Sequence, residues 1–363
     1  MSKKIIIAGG GTGGHIFPAI AIANALKAMD NTIEFLFIGA KGKMEMEKVP
    51  KAGYAIKGLT IAGFNRASLL KNITLPFKLI QSFFEVSTIF KSFRPNAVIG
   101  VGGYSSFPVL RYAQSKNIPT FIHESNSFAG RSNIMLGKKA TKIFVAVDGM
   151  EKFFPKEKIL VSGNPVRQSI AHATVNKQQA LMAFGLLPDL KTILIVGGSL
   201  GAKSINEVIQ NNLPVFANHQ IQLIWQTGKT NAEAYQQAAA NFRNVSVNVF
   251  IDNMEMAYAA ADVVISRSGA MAVTELCVLN KAVVFVPYPH AAEDHQTANA
   301  MYLVNKQAAL IVKDIEVKNE LISTSLELVK SEQKQNELKQ NIAALAKTDA
   351  DIFIAKEILK ILA

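Results

Sequence analysis

A short apolar run that stops at glycine or at a polar turn, then gives way to a helical pattern, recurs from one end of this chain to the other. Few folds accept that order. IIIAGG (5–10), TIEFLFIG (32–39), NAVIGVGG (96–103), IPTFIHE (118–124) and TKIFVAV (141–147) read as buried strands with amphipathic segments between them. Near-continuous apolar strands alternating with helices mark a parallel sheet covered on both faces. GNPVRQ (163–168) interrupts with Gly163 and Pro165, the polar stretch HATVNKQQ (172–179) follows, and the pattern restarts. TILIVGGS (192–199), QIQLIWQTG (220–228), NVSVNVF (244–250), ADVVISRSG (261–269) and AVVFVPYP (282–289) make a second set. The expectation is an α/β chain of two doubly wound, Rossmann-like parallel-sheet domains facing a cleft. The domains are residues 1–163 and 164–349, and a last helical segment at about 350–362 packs back on the first.

The 363 residues, 49% hydrophobic and 18% charged, suffice for two cores and do not suit disorder. One cysteine, Cys277, excludes an internal disulfide framework and suits a reducing compartment. No uncharged apolar run reaches the ~20 residues of a spanning helix, and Met1-Ser2-Lys3-Lys4 leads at once into a run too short for a signal peptide. The expected compartment is the cytoplasm. A formal charge of +12 asks for an acidic partner: nucleic acid, a phosphorylated small molecule or an anionic membrane. Zinc-finger spacing, RNP-like aromatics and blocks of consecutive basic residues are all missing, so no nucleic acid is expected.

Gly9, Gly11 and Gly14 satisfy the dinucleotide fingerprint G-x-G-x-x-G, but that fingerprint also wants an acid closing the second strand to hold a ribose. The second run ends Phe37-Ile38-Gly39-Ala40, without a carboxylate. A Walker loop fails as well: Gly228-Lys229-Thr230 resembles its end, and Leu223 stands where its first glycine belongs. What remains is a loop whose amides can approach an anion at a helix N-terminus, or a tight turn that binds nothing. The device recurs. Gly100-Val101-Gly102-Gly103-Tyr104 and Gly197-Gly198-Ser199-Leu200-Gly201 also follow strand-like runs, which fits one diphosphate per domain.

His15 stands at the exit of the first loop. A helix N-terminus disfavours the imidazolium and leaves a neutral ring suited to accept a proton; the alternative is a ring that only donates a hydrogen bond to a phosphate or the backbone. Glu275, after Arg267-Ser268-Gly269, falls in the first turns of a helix, where its carboxylate can take two ribose hydroxyls or simply face the dipole. His290, Glu293, Asp294 and His295 match no metal spacing; Asp294, Gln296 and Asn299 suit sugar hydroxyls instead. Asp349-Ala350-Asp351 reads as an acid pair starting a helix. No metal and no cofactor are expected.

GGGTGGHIFPAIAIA (9–23), GVGGYSSFP (100–108), HESNSFAGRSN (123–133), SGNPVR (162–167), VGGSLGA (196–202), FIDNM (250–254), RSGAMAVTEL (267–276) and EDHQTANA (293–300) occur in order. In this set the chain resembles the bacterial UDP-N-acetylglucosamine:undecaprenyl-pyrophosphoryl-muramoyl-pentapeptide N-acetylglucosaminyltransferases, which make lipid II from lipid I in peptidoglycan synthesis. The resemblance implies the GT-B fold, an inverting transfer and no metal. It implies that UDP-GlcNAc lies mainly in the second domain, with Ser199 and Arg167 on the diphosphate, the Ile251 backbone on uracil and Glu275 on the ribose. Ala270, Met271, Ala272, Val273 and Thr274 would line the diphosphate and ribose, and Gln296 the sugar. Thr12, Gly13, Gly14 and Asn126 would reach the donor from the first domain. The acceptor diphosphate would sit at Gly14, Gly102, Gly103 and Tyr104, with His15 as base and Glu124 as the alternative. Thr274 stands where the family often has serine, and the tail after about 310 matches poorly.

An acceptor with a polyprenyl tail has to be met at a bilayer. In NITLPFKLIQSFFEVSTIFKSFRP (72–95), Leu79, Phe83, Val86, Phe90 and Phe93 recur at helical spacing beside Phe77, Ile80 and Phe84, with Lys71, Lys78, Lys91 and Arg94 around them. The segment reads either as a helix packed on the sheet or as one lying on an anionic membrane through Phe77, Leu79, Ile80, Phe83, Phe84 and Phe90. On the second reading the chain is peripheral, at the cytoplasmic face of the inner membrane. Three rival functions compete: a UDP-GlcNAc 2-epimerase, which leaves the aromatic stripe idle; a diacylglycerol glycosyltransferase, which underuses the paired glycine loops; and a nucleotide-sugar sensor, which has no need of His15.

Overall fold

The computed structural model describes residues 3–63, 72–198 and 200–362. It divides into two compact units, Met1–Arg167 with Lys347–Ala363, and Gln168–Ala346.

The first unit is built on seven parallel strands. They are β1 (Lys4–Ala8), β2 (Glu34–Ala40), β3 (Ile56–Leu59), β4 (Ala97–Gly100), β5 (Thr120–Glu124), β6 (Lys142–Val145) and β7 (Ile159–Val161), in the order β3-β2-β1-β4-β5-β6-β7. β1 is the pivot, with Ile5 opposite both Phe35 and Ala97, and Ala8 opposite both Ile38 and Gly100. Its residues point alternately to two separate cores. Ile5 and Ile7 join the core under the helix Gly13–Met29, and Ile6 and Ala8 the one under the helices Leu75–Phe93 and Ser106–Ser115. Ile354, Ala355 and Ile358, from the terminal helix Ala350–Leu362, belong to the first of these cores.

Six parallel strands form the second unit: β8 (Lys191–Val196), β9 (Ile221–Gln226), β10 (Val245–Asn248), β11 (Val263–Ser266), β12 (Ala282–Phe285) and β13 (Leu310–Ile311). Their order is β10-β9-β8-β11-β12-β13. Each unit thus starts in the middle of its sheet, winds to one edge, and returns past its first strand to build the other side. That reversal opens a crevice at the carboxyl ends of the two central strands, the position where doubly wound sheets bind ligands. The pairs are β1/β4 and β8/β11, and the three glycine-rich stretches singled out in the sequence are the exits of β1, β4 and β8.

The strands that periodicity did not mark, β3, β7 and β13, are sheet edges of four, three and two residues. Edge strands are half-exposed, so they lack the continuous apolar signal of a central strand.

Candidate active site

In the first unit the exits of β1 and β4 interlock through backbone. Gly10 N–H donates to the Gly102 carbonyl at 3.3 Å, and Val101 N–H to the Ala8 carbonyl at 3.0 Å. The helix Gly13–Met29 then starts with Thr12 at its N-cap position. His15, in its first turn, puts Nδ1 3.0 Å from the Gly10 carbonyl and 3.4 Å from Thr12 Oγ1. A carbonyl only accepts, so the Gly10 bond places the proton on Nδ1, and the lone pair of the neutral ring lies on Nε2. Gly102 adopts φ +94°, and a Cβ there would stand 2.8 Å from His15 Nε2. Glycine at this position therefore serves both the turn and the space beside the imidazole.

Around this turn lie groups with defined partners. Tyr104 follows the β4 exit, and burial, with the Glu45 carboxylate adding to it, pushes its hydroxyl above the ordinary value. Ser125 Oγ donates to the Gly14 carbonyl at 3.4 Å and meets His123 Nδ1 at the same distance, while His123 Nε2 faces the Gly163 carbonyl. Burial holds the His123 imidazole down at about 4, with the Gly163 bond opposing and the nearby His15 adding to the fall. His123 is neutral at physiological pH.

Glu124 is buried, and its carboxylate braces the following loop. Oε1 accepts from Asn126 N–H and Nδ2, and Oε2 from Gly130 N–H at 3.1 Å and Asn133 Nδ2 at 2.8 Å. Four donors thus converge on one carboxylate and tie the loop to the end of β5. Asn126, expected on the donor, here caps that carboxylate. Thr12, Gly13 and Gly14 lie at the start of the helix, as the sequence suggested. Arg167 is the last residue of the first unit before Gln168.

In the second unit a cleft of about 940 Å³ opens at the β8, β11 and β12 exits, within the size range of small-ligand sites. Gly198, Ser204, Arg267, Ala272, Gln296 and Asp314 are among its walls. Arg267 is the hub. Its guanidinium donates to Asp314 Oδ1 at 2.6 Å, to the carbonyls of Val286 and Pro287 at 3.0 Å, and to Ser204 Oγ at 3.0 Å. Ala270, Met271, Ala272 and Val273 form the first turn of the helix Ala270–Val278, which ends β11's exit and presents amide groups there. Gln296 accepts Tyr288 N–H at 3.0 Å through its side chain.

Other expected donor residues are placed as follows. Glu275 is buried and accepts from Tyr258 Oη at 3.1 Å. The Ile251 amide donates to Gln226 Oε1 at 2.9 Å, and Gln226 Nε2 reaches the Gly198 carbonyl at 3.3 Å. The Thr274 hydroxyl bonds back to the Ala270 carbonyl within its helix. Asn299, offered to a sugar by the sequence, is buried and donates to the Ser268 carbonyl. Ser199 lies outside the described residues. Among the described residues, no three His, Cys, Asp or Glu side chains gather into a group that could hold a metal ion. Cys277 is buried, and its thiol is pushed up to about 12 by that burial, too high for a nucleophile.

Periodicity did not find Glu45, Ser204, Gln226 or Asp314. Gln226 is the last residue of β9, and a polar residue closing an apolar strand is the one signal that marked it. The aromatic stripe also needs a correction. On the helix Leu75–Phe93, Phe77 and Phe84 are 72% and 71% exposed, whereas Phe90, expected at the membrane, is 6% exposed and packs edge-on against Tyr112. Phe90 belongs to the core with Val86, because the sheet-facing side of an amphipathic helix is apolar too. Leu79 and Phe83 are half-buried, and Lys71 lies outside the described residues.

Residues 5–145 match the N-terminal domain of glycosyltransferase family 28, and residues 192–353 match its C-terminal domain. The UDP-N-acetylglucosamine–N-acetylmuramyl-(pentapeptide) pyrophosphoryl-undecaprenol N-acetylglucosamine transferase of Bacteroides fragilis is 50% identical over 362 residues, 99% of this chain and 95% of the relative. The crystal structure of Acinetobacter baumannii MurG superposes with a TM-score of 0.79 at 29% identity, covering 99% of both chains. A putative UDP-N-acetylglucosamine 2-epimerase from Listeria monocytogenes reaches a TM-score of 0.71 at 14% identity over 99% of this chain and 95% of that one, a likeness of fold alone. The two-sheet GT-B architecture expected from the sequence is present. The chain belongs to the UDP-N-acetylglucosamine–N-acetylmuramyl-(pentapeptide) pyrophosphoryl-undecaprenol N-acetylglucosamine transferases, within glycosyltransferase family 28.

Proposed function

We propose that this chain moves N-acetylglucosamine from UDP-GlcNAc to the 4-hydroxyl of the N-acetylmuramyl-pentapeptide of lipid I, forming the β-1,4-linked disaccharide of lipid II for peptidoglycan. The observation that carries this reading is the 50% identity to the Bacteroides fragilis transferase along 99% of the chain. The acceptor hydroxyl attacks the anomeric carbon in line, so the α-linked donor gives a β product. His15 Nε2 takes the hydroxyl proton while negative charge builds on the departing UDP. Amides at the N-terminus of the helix Ala270–Val278, with Arg167 and Ser199, stabilise that charge. Glu275 holds the ribose, the Ile251 backbone the uracil and Gln296 the sugar, and the acceptor diphosphate sits at Gly14, Gly102, Gly103 and Tyr104.

The assay is UDP release from UDP-GlcNAc with and without a short-chain lipid I analogue, in EDTA. Release that depends on acceptor and yields the disaccharide is expected. Consumption or epimerisation of UDP-GlcNAc without acceptor would move the chain to the isomerase reading.

The chain works peripherally at the cytoplasmic face of the inner membrane. No helix among the described residues is long and apolar enough to cross a membrane. Phe77, Ile80 and Phe84, spaced at i, i+3 and i+7, are 72%, 57% and 71% exposed on one helix, with Lys78 beside them. Each Phe buried in lipid contributes about 1.5–3 kcal/mol, and each nearby basic residue about 1 kcal/mol on an anionic leaflet. Sedimentation with phosphatidylglycerol vesicles should show at least a tenfold weaker affinity, roughly 1.4 kcal/mol, for Phe77→Ser with Phe84→Ser. Equal binding by that variant and the wild type would sink the membrane reading.

A further inference from the structure

The peptide joining Gly10 to Gly11 is gripped from both sides. Its N–H donates to Glu45 Oε2 at 2.8 Å, and its carbonyl accepts from His15 Nδ1 at 3.0 Å. Glu45 begins the helix Glu45–Lys51 and is 1% exposed. Its second oxygen, Oε1, accepts Ala40 N–H at 2.9 Å where β2 ends. A methyl group at Gly10 or at Gly39 would overlap this carboxylate or its stem, so glycine after β1 and near the end of β2 leaves the space that Glu45 fills.

A buried carboxylate costs several kcal/mol of desolvation and is compensated here by two amides and a helix N-terminus. As mere filler, a neutral side chain would cost less. As part of an anion-binding loop, a carboxylate repels the ligand and occupies the Gly11 amide that a phosphate would use. Its position makes sense through the peptide. Hydrogen bonds in series polarise one another, so an amide whose N–H faces an anion carries a more negative carbonyl oxygen. That oxygen holds the His15 proton on Nδ1 more firmly. A buried aspartate does the same by direct contact with the histidine of a serine-protease triad.

We infer that Glu45 is a positioning residue for His15, acting through the Gly10–Gly11 peptide to fix the Nδ1–H tautomer and keep Nε2 as the proton acceptor. This rests on His15 as the base. Two measurements separate the claims. Nitrogen-15 NMR of the wild-type protein labelled at histidine reads the tautomer without any variant; Nδ1–H at His15 is expected, and Nε2–H would overturn the inference. Glu45→Gln, with folding followed by circular dichroism, should lower kcat roughly tenfold, a weaker effect than loss of the directly bonded triad aspartate. KM for UDP-GlcNAc should stay within about twofold, and the acidic limb of the kcat profile should move to lower pH. In a His15→Ala background the same substitution should add nothing. An unshifted acidic limb, or an equal loss in that background, would reduce Glu45 to packing. Near-normal turnover by His15→Ala alone would instead remove the base, a result distinct from any failure at Glu45.

Discussion

The two sheets share one strand order and differ in what they place at its reversal. At β1/β4 the turn is almost all backbone: Gly10 meets Gly102, a Cβ at Gly103 would stand 2.5 Å from the Gly10 carbonyl, and one imidazole fits beside Gly102. At β8/β11 side chains do the work. Arg267 ties together Ser204, Asp314 and the carbonyls after β12 at a cleft of about 940 Å³, and Gln226 links Gly198, on its wall, to Ile251. A tight turn, braced by the Glu45 carboxylate, holds the His15 imidazole at a fixed angle. A wide, side-chain-rich one surrounds a large ligand. The proposed function divides along the same line, with proton transfer assigned to the first unit and donor binding to the second.

The sharpest way to break that division is His15→Ala. Turnover with saturating substrates should fall by about 10²–10⁴-fold, the usual worth of a positioned base. UDP affinity by calorimetry should stay unchanged. Loss of UDP affinity in step with turnover would erase the distinction between the units.

Glu275→Ala should give the opposite profile. A hydrogen bond to a charged group contributes about 1.5–3 kcal/mol, so KM for UDP-GlcNAc should rise roughly 10- to 100-fold with kcat little changed. A fall in kcat at constant KM would put Glu275 in the chemistry instead.

The smallest effect is a stability slope belonging to the first unit. His123 ordinarily titrates at 6.5 and is held at about 4 in the fold, chiefly by burial. Below its ordinary value the unfolded chain binds a proton here and the native fold does not. Stability is therefore lost as pH falls from 6.5 toward 4, by about 1.4 kcal/mol per pH unit at most. Urea unfolding between pH ~7 and ~5 should show this slope, and His123→Gln should flatten it. An identical slope in the variant would assign the acid sensitivity to other groups.

How much of this was legible in the sequence follows from where each signal lives. Glycine directly after a β-branched run is a local signal, so the exits of β1, β4 and β8 could be read without a structure. Glu45 could not. It starts a helix like any surface glutamate, and its burial depends on β2 lying beside β1, a pairing made across 30 residues in the register Lys4 to Glu34. Asp314 meets Arg267 across a still longer span. Phe90 and Phe84 look alike in an amphipathic pattern, and the sheet decides which one is core. The stretch 164–167 read as the start of the second domain, yet Asn164 Nδ2 donates to the Ser125 carbonyl at 3.0 Å within the first unit.

The most direct test of the division is a single-turnover experiment in EDTA with UDP-GlcNAc and a short-chain lipid I analogue, run on wild type and on His15→Ala at saturating donor. Disaccharide matched one-for-one by UDP is expected in the wild type, and the same product formed far more slowly by a variant that binds UDP normally. Donor consumed without acceptor, or a variant that turns over at the wild-type rate, would contradict that division.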